Sequence, residues 1–300
     1  MKHAHGPCKL TGRQPTLRAM ITRRRYLWIR PDGPDASVQL ETHGWVVLPK
    51  VFDRSGVARL RREIGRVFDS EVPPVRHPRL SAAHYADFRH STLNRSAAAQ
   101  AAVSHPGILE VIEPLLGEDA HVIANTSWRN PPHDPRAING SAWHCDSGPH
   151  VPRPAGVPWD DRIPYPIFAI GVHVLLEDCP RECGPTGVLP GSHRSGQAPP
   201  SDRTSELGLL YEGRSPVALA GEAGDVAMFV SDSWHRRLPP IPSGDTGRFF
   251  LQIHYGRRDL AQRLQLTSAV NHLSPEAIAR ASTRRERSVV GLHEPGFYDG

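Results

Sequence analysis

The stretch Arg248–Gly256, with the sequence RFFLQIHYG, alternates between two kinds of side chain. Such alternation is typical of a β-strand, in which successive side chains point to opposite faces of the sheet. One face carries Arg248, Phe250, Gln252 and His254, and the other carries Phe249, Leu251, Ile253 and Tyr255. A mostly polar face inside a protein needs a reason, because an unpaired buried guanidinium is costly. The stretch therefore predicts a strand with an apolar core on one side and a polar interior on the other.

The guanidinium of Arg248 has two candidate partners. The carboxylate of a bound co-substrate would match its planar fork of donors. The carboxylate of Asp232, in the preceding strand-like run, is the alternative. The residues themselves leave both interpretations open.

Several other short runs have strand character and are separated by glycine and proline. They are HGWVVLP (43–49), HVIANTSW (121–128), YPIFAIGVHVLLED (165–178), TGVLPGS (186–192) and DVAMFVSD (225–232). This spacing favours a mainly β fold with flanking helices, a sandwich or barrel of the jelly-roll kind. The turn-rich segment between His235 and Arg248 further predicts that the last two strands form a hairpin.

Helices are predicted on both sides of this β region. Apolar residues recur at helical spacing in DRSGVARLRREIGRVF (53–68), where Asp53 is the expected N-cap, and in HPGILEVIEPLLGED (105–119). A further helix is expected in SPEAIARAS (274–282). Residues 1–37 lack periodicity and predict a loosely ordered N-terminal arm. Residues 38–300 are expected to form one domain with an N-terminal helical layer and a C-terminal helical segment.

Composition narrows the classes of partner. The chain has 300 residues, a net charge of +5 and an isoelectric point near 9.3. Tight basic runs occur only at residues 22–26 and 283–287, so nucleic acid is not an expected partner. No apolar run is long enough for a membrane span or a secretory signal, and we expect a cytoplasmic protein. A small-molecule partner is expected, and the oligomeric state is left open.

The stretch SAWHCDSGPH (141–150) suggests half of a metal site. In an extended segment His144 and Asp146 point to the same face, while Cys145 points away. His235, at the end of a later strand-like run, is the expected third ligand. Two histidines and one carboxylate leave open positions on an octahedral metal, which suits non-haem Fe(II) oxygenases. The same three groups also bind zinc in hydrolases, and this alternative stays open.

Four motifs in the same order resemble the phytanoyl-CoA dioxygenase family of Fe(II)/2-oxoglutarate oxygenases. They are HGWVVLPKVFDRSGVARLRREI (43–64), WHCD (143–146), CGPTGVLPGSH (183–193) and GDVAMFVSDSWH (224–235), followed by Arg248. The resemblance covers about residues 40–256 and implies a double-stranded β-helix core of the jelly-roll, cupin-like type. It implies that His144, Asp146 and His235 bind iron, and that Arg248 binds the distal carboxylate of 2-oxoglutarate.

The resemblance also implies a reaction. Members of the family couple the decarboxylation of 2-oxoglutarate by O₂ to the oxidation of a C–H bond, and they release succinate and CO₂. Halogenating relatives replace the carboxylate ligand with a small residue, so Asp146 favours hydroxylation or another oxygen-derived oxidation over halogenation. Epimerisation, desaturation and ring closure use the same iron centre and stay open. We expect a role in bacterial specialised metabolism. A non-catalytic binding protein on the same fold is the remaining alternative.

Further residues are assigned to the site from their positions. The resemblance places Asn125 and Arg129 in a region where relatives contact 2-oxoglutarate, and His254 shares the strand face of Arg248. His173 is expected to point into the cavity. The proline-rich insert at 147–166 is a candidate substrate loop, with Trp159, Asp161 and Arg162 as contacts, or else a solvated crossover. Three further residues are expected to be structural. Trp143 and Trp234 are expected to pack in the interior, and His193 is expected to support a loop.

Overall fold

A computed structural model describes residues 35–70, 87–146, 148–160, 162–260 and 273–293. Its strands are β1 Trp45–Leu48, β2 Phe88–His90, β3 His121–Asn130, β4 Ala169–Leu175, β5 Thr186–Val188, β6 Val217–Ala218, β7 Val226–Val230, β8 His235–Arg237 and β9 Arg248–Gly256. Six of them form an antiparallel sheet in the order β1-β7-β4-β9-β3-β2, and three form a smaller sheet in the order β6-β5-β8. The chain therefore folds as a mainly β protein with the jelly-roll core that its strand pattern predicts.

Among the described residues, one helix precedes β1, four lie between β1 and β3, and two follow β9. They are α1 Asp35–His43, α2 Arg54–Asp69, α3 Thr92–Arg95, α4 Ala97–Ala102, α5 Pro106–Leu116, α6 Pro275–Arg280 and α7 Arg284–Val289. The predicted N-terminal arm lies mostly outside the described residues, and α1 begins at Asp35, inside its last three positions. No helix in the described ranges is both long and apolar enough to cross a membrane.

The large sheet separates two different environments. On the helix side, Phe249, Leu251, Ile253 and Tyr255 of β9 join the main hydrophobic core together with residues of α2, α4 and α5. On the other side, Arg248, Phe250 and Gln252 line a cavity. The alternation predicted for β9 is thus confirmed, and the polar face of this strand borders the cavity.

Local sequence explains the helix that lies against this core. The Asp53 carboxylate accepts a hydrogen bond of 2.7 Å from the backbone N–H of Gly56 and caps α2, as predicted. Residues at helical spacing, among them Leu60 and Ile64, are buried against the sheet. Full burial of an aliphatic side chain of this size is worth about 1.5–3 kcal/mol, so the apolar stripe fixes which face of α2 packs inward.

The predicted hairpin between β8 and β9 is wrong. β8 pairs with β5 in the small sheet, whereas β9 lies between β4 and β3 in the large sheet. The intervening turn-rich segment therefore crosses from one sheet to the other. This crossing brings His235 of β8 and Arg248 of β9 into the lining of the same cavity.

Candidate active site

Three potential metal ligands converge between the two sheets. The donor atoms of His144, Asp146 and His235 all lie within 4.8 Å of one another. His144 and His235 belong to distant segments, and their backbones are joined by a pair of hydrogen bonds of 3.0 Å each. This isolated antiparallel bridge holds one imidazole beside the other, with ring centroids 4.3 Å apart. The structure thus brings together the three residues that the sequence pattern selected.

Both imidazoles are oriented by backbone carbonyls. The Nδ1 of His144 lies 2.9 Å from the carbonyl oxygen of Ala142, and the Nδ1 of His235 lies 2.8 Å from that of Ser233. A carbonyl oxygen only accepts, so each Nδ1 carries the proton and each Nε2 keeps its lone pair. Hydrogen bonding of the second ring nitrogen is the usual support for a histidine that binds a metal.

Asp146 is poised as an anionic donor. Burial opposes its ionisation, but the nearby His235 and His254 rings outweigh burial and hold the pKa of Asp146 well below its usual range. Its Oδ1 lies 3.3 Å from Nε2 of His235, and its buried Oδ2 accepts no hydrogen bond in the described part of the chain. A buried carboxylate oxygen without a donor is what a cation would satisfy, and the donor set fits a metal ion of the Fe(II) or Zn(II) type.

Three side chains, those of Trp128, Gln252 and His254, form a series of polar contacts that ends at the Asp146 carboxylate. The indole N–H of Trp128 donates to the Gln252 side-chain oxygen over 2.6 Å, and the Gln252 amide lies 2.8 Å from Nε2 of His254. Nδ1 of His254 faces Oδ2 of Asp146 at 3.5 Å. His254 therefore lies against a ligand residue, on the face predicted for it. Gln252 and Trp128 were not singled out from the sequence, although the alternation of β9 already placed Gln252 beside His254.

The potential ligands open onto a cavity of about 620 Å³. His173 lies in its wall between the rings of Phe229 and Phe250, and burial keeps the pKa of His173 well below its usual value, so this imidazole is neutral. Gly171, two residues earlier on β4, is required by the same packing, because a Cβ there would lie 2.6 Å from the Phe229 ring. His173 is thus placed in the cavity as predicted.

Arg248 is buried in the same wall without a carboxylate partner in the described chain. Its Nε and Nη2 donate to the side-chain oxygen of Asn130 over 3.2 and 2.8 Å, and its Nη1 donates to the carbonyl oxygen of Gly184 over 3.0 Å. Burial, reinforced by the positive charge of Arg237, lowers the pKa of Arg248 to about 9. A guanidinium held by neutral acceptors at a cavity wall is prepared for an anionic ligand.

The alternative partner for Arg248, Asp232, is occupied elsewhere, so that interpretation is wrong. The Asp232 carboxylate accepts hydrogen bonds from the Tyr165 hydroxyl over 3.1 Å and from the backbone N–H of His150 over 2.8 Å, and it also contacts the His150 ring. Asp232 precedes the potential ligand His235 by three residues, and His150 follows the potential ligand Asp146 by four. This buried cluster therefore ties the two ligand-bearing segments together.

Replacing Asp232 by alanine is expected to destabilise the fold. The change leaves the Tyr165 hydroxyl and the His150 ring without their acceptor in the interior, which costs about 2–4 kcal/mol of unfolding free energy. Thermal and denaturant unfolding of the purified protein measure the loss. Asp160→Ala is the matched control, because Asp160 pairs only with the exposed Arg162 and its loss should leave the unfolding midpoint unchanged. Equal stability of the two variants would contradict the assigned role of Asp232.

Two residues predicted to contact the co-substrate lie elsewhere. The Asn125 side-chain oxygen accepts from the backbone N–H of Leu93, and Arg129 pairs with Asp69 at the surface over 3.0 Å. Both occupy odd positions of β3, and after the register shift between Val122 and Ala124 the odd positions face the helices. The assignment of Asn125 and Arg129 to the cavity is therefore corrected.

The proline-rich insert also packs away from the cavity. The Trp159 ring lies edge-on to Tyr165 and its N–H donates to the Ile163 carbonyl, while Arg162 pairs with Asp160 in solvent. Neither Trp159 nor Arg162 lines the cavity, which corrects their assignment as substrate contacts. Asp161 lies outside the described residues.

The outer part of the cavity is formed instead by the segment after β3. Asp134, Arg136, Ala137, Gly140 and Ser141 line it, and Arg136 forms ion pairs of 2.8 Å with Asp134 and with Asp87. Gly140 has a positive φ of 68°, and a Cβ there would lie 2.1 Å from the carbonyl oxygen of Arg237. This glycine lets the segment approach β8 closely, where the backbone N–H of Ser141 donates to the same carbonyl.

Three residues taken as structural are buried in structural contacts. Trp143 and Trp234 belong to one hydrophobic cluster, and their indole N–H groups donate to the carbonyl oxygens of Glu206 and Gln197. The His193 Nε2 lies 2.9 Å from the carbonyl oxygen of Glu41. These contacts agree with the packing and loop roles expected for them.

Comparison with solved structures supports the fold. The epimerase SnoN, in complex with Fe3+, alpha ketoglutarate and nogalamycin RO, is 21% identical to this chain with a TM-score of 0.56. The alignment covers 75% of this chain and 83% of SnoN. The alpha ketoglutarate dependent carbocyclase SnoK is 18% identical to this chain with a TM-score of 0.55, and the alignment covers 80% of this chain and 90% of SnoK. HygX from Streptomyces hygroscopicus, with nickel and 2-oxoglutarate bound, is 15% identical to this chain with a TM-score of 0.56. The alignment covers 76% of this chain and 88% of HygX.

Sequence comparison supports the family assignment made from the motifs. No curated protein sequence matches the chain. The sequence profile described as Phytanoyl-CoA dioxygenase (PhyH), in contrast, matches residues 40–237, which is more than half of the chain and includes all three potential metal ligands. This protein therefore belongs to the phytanoyl-CoA dioxygenase family.

Proposed function

We propose that this protein is an Fe(II)- and 2-oxoglutarate-dependent oxygenase that hydroxylates a C–H bond of a small molecule in bacterial specialised metabolism. The observation that carries the proposal is the arrangement of one cavity. His144, Asp146 and His235 converge at its wall, and the buried Arg248 guanidinium lies in the same wall without a carboxylate partner in the described chain. A metal site and an anion site within one cavity suit a co-substrate that is both a chelator and a diacid.

Each residue has a defined task in this reaction. Nε2 of His144, Nε2 of His235 and one oxygen of Asp146 would hold the ion and leave coordination positions open for co-substrate and O₂. Bound iron, with 2-oxoglutarate and O₂, supplies the oxidation of the C–H bond. Arg248 would hold the distal carboxylate of 2-oxoglutarate and thereby orient its 2-oxo acid end. The apolar rings of Phe229 and Phe250 would exclude water beside the ligands.

The solved relatives give independent support. SnoN was crystallised with iron and alpha ketoglutarate, and HygX with nickel and 2-oxoglutarate. The nogalamycin compound in the SnoN complex supports a small-molecule natural product as the substrate class. SnoN is described as an epimerase and SnoK as a carbocyclase. The carboxylate ligand Asp146 argues against halogenation, and hydroxylation is our proposal among the remaining oxidations, which the mass of the product tests.

The zinc hydrolase alternative is less well supported. A hydrolase built on the same three ligands needs an activated water, but it gives no task to the buried Arg248. In a hydrolase, the uncompensated guanidinium of Arg248 would destabilise the fold without taking part in the reaction.

Anaerobic addition of Fe(II) and 2-oxoglutarate to the full chain is expected to produce the weak visible charge-transfer band of the chelate. The band should be absent with Zn(II) in place of Fe(II), or when 2-oxoglutarate is omitted. After exposure to air, a panel of candidate substrates should reveal one that stimulates succinate release, and its product should contain one additional oxygen atom. Absence of both the band and succinate would overturn the proposal. A product of unchanged mass would indicate epimerisation instead of hydroxylation.

A further inference from the structure

Strand β8 carries two arginines in different surroundings. Arg236 is satisfied by the chain itself, because its guanidinium donates to the carbonyl oxygen of Asn139 over 2.7 Å and lies over the Trp143 ring. Arg237 follows His235 by two residues and therefore shares its strand face, and it lines the cavity. The Nε and Nη2 atoms of Arg237 are buried and donate to no acceptor in the described structure.

The carboxylates in this part of the cavity already have other partners. Asp134 and Asp87 form ion pairs with Arg136. The Asp245 carboxylate accepts two hydrogen bonds, from the backbone N–H groups of His133 and Gly247. Among the described residues, none of the three forms an ion pair with Arg237. A largely buried guanidinium with two N–H donors that form no hydrogen bond destabilises the folded protein. A ligand from outside the chain would accept these hydrogen bonds and offset that destabilisation.

Arg237 and Arg248 lie around the same short segment. The backbone of Arg237 is in register with Thr186 of β5, and Thr186 itself lines the cavity. The Nη1 of Arg248 donates to the carbonyl oxygen of Gly184, two residues before Thr186. Two guanidinium groups, one from each sheet, thus line the same cavity near this segment.

We propose that Arg237 is a second binding residue for the distal carboxylate of 2-oxoglutarate, so that Arg237 and Arg248 hold this carboxylate jointly. The inference rests on the proposed function and adds a specificity-determining residue to it. A carboxylate has two oxygens and about four lone-pair positions, which is enough to accept hydrogen bonds from two guanidinium groups. A 2-oxo acid that ends in a methyl group offers neither charge nor acceptor at this place.

The test is an anaerobic titration of the Fe(II)-loaded full chain with 2-oxoglutarate, followed by the charge-transfer band and by calorimetry. For Arg237→Gln the Kd of 2-oxoglutarate should rise about 10- to 100-fold, the effect of losing a charge-assisted hydrogen bond. The Kd of 2-oxovalerate, which has the same length but a terminal methyl group, should stay unchanged. Arg237→Lys keeps the charge and should lose less affinity for 2-oxoglutarate than Arg237→Gln.

Arg162→Gln is the matched control, because the change removes the same charge from an exposed arginine that pairs with Asp160 and does not line the cavity. Its Kd for 2-oxoglutarate should equal that of the wild type. Wild-type affinity in both Arg237 variants would overturn the inference, as would an equal loss of affinity for both oxo acids, which would indicate a structural role. A wild type without any band would instead overturn the proposed function.

Discussion

His235→Ala is expected to abolish the Fe(II)·2-oxoglutarate absorption band and succinate formation. The change removes the most buried of the three potential ligands, whose ring has 6% of its side-chain surface exposed. Loss of an outer hydrogen-bonding partner alone typically lowers metal affinity or activity about 10- to 100-fold, and loss of a ligand should exceed that range. Metal content after dialysis against Fe(II), together with the anaerobic spectrum, measures the effect.

His43→Ala is the matched control for this experiment. His43 is exposed at the end of α1 and is outside the group of side chains that could hold the ion. This variant should retain bound metal and the absorption band, whereas His235→Ala should lose both while keeping the circular dichroism spectrum of a folded protein. Retention of stoichiometric iron by folded His235→Ala would show that this imidazole is not a ligand.

Arg248→Gln is expected to raise the Kd of 2-oxoglutarate about 150- to 5,000-fold, because removing one member of a buried charge pair typically costs about 3–5 kcal/mol. The same variant without ligands should be at least as stable as the wild type. Arg248 is buried among neutral acceptors, so its removal relieves an uncompensated charge. A titration and a thermal unfolding curve measured on the same preparation separate the two effects.

Two comparisons sharpen the test of Arg248. Arg129→Ala removes an arginine that pairs with Asp69 at the surface, and it should leave the Kd of 2-oxoglutarate unchanged. If Arg248 were structural, Arg248→Gln would lose stability instead of affinity. That pattern would remove the anion site from the proposed function and would revive the hydrolase alternative.

The features that sequence predicted well are those with a regular period or a strict order of motifs. The alternation of β9 placed the polar and apolar faces correctly because one face joins the main core and the other borders the cavity. The helical stripe of α2 was predicted for the same reason. Short elements such as β2 and α4, with three and six residues, were missed because so few positions show no period.

The assignments of Asn125 and Arg129 failed because they were made for a region of β3 without asking which face of the strand each residue occupies. The even positions of β3, Trp128 and Asn130, face the cavity, and Asn130 is paired in register with Arg248. Asn125 and Arg129 are odd positions and point to the helix side. The register shift between Val122 and Ala124 reverses the parity of β3 near its start, so counting from His121 would not have identified Asn130. The Asp232 cluster had no comparable signal, because its members lie in separate segments that meet only in the folded chain.

The construction of the cavity mouth has a consequence for how the protein can diversify. Gly140 and Ser141 fasten the outer segment to β8, and the metal ligands are held by separate backbone bonds. Residues 131–139 are tied to the fold through the backbone N–H of His133 and the carbonyl oxygen of Asn139. Changes of side chain at Arg136 and Ala137, which line the cavity, would keep these backbone bonds and the metal ligands, so directed evolution of altered selectivity should begin there.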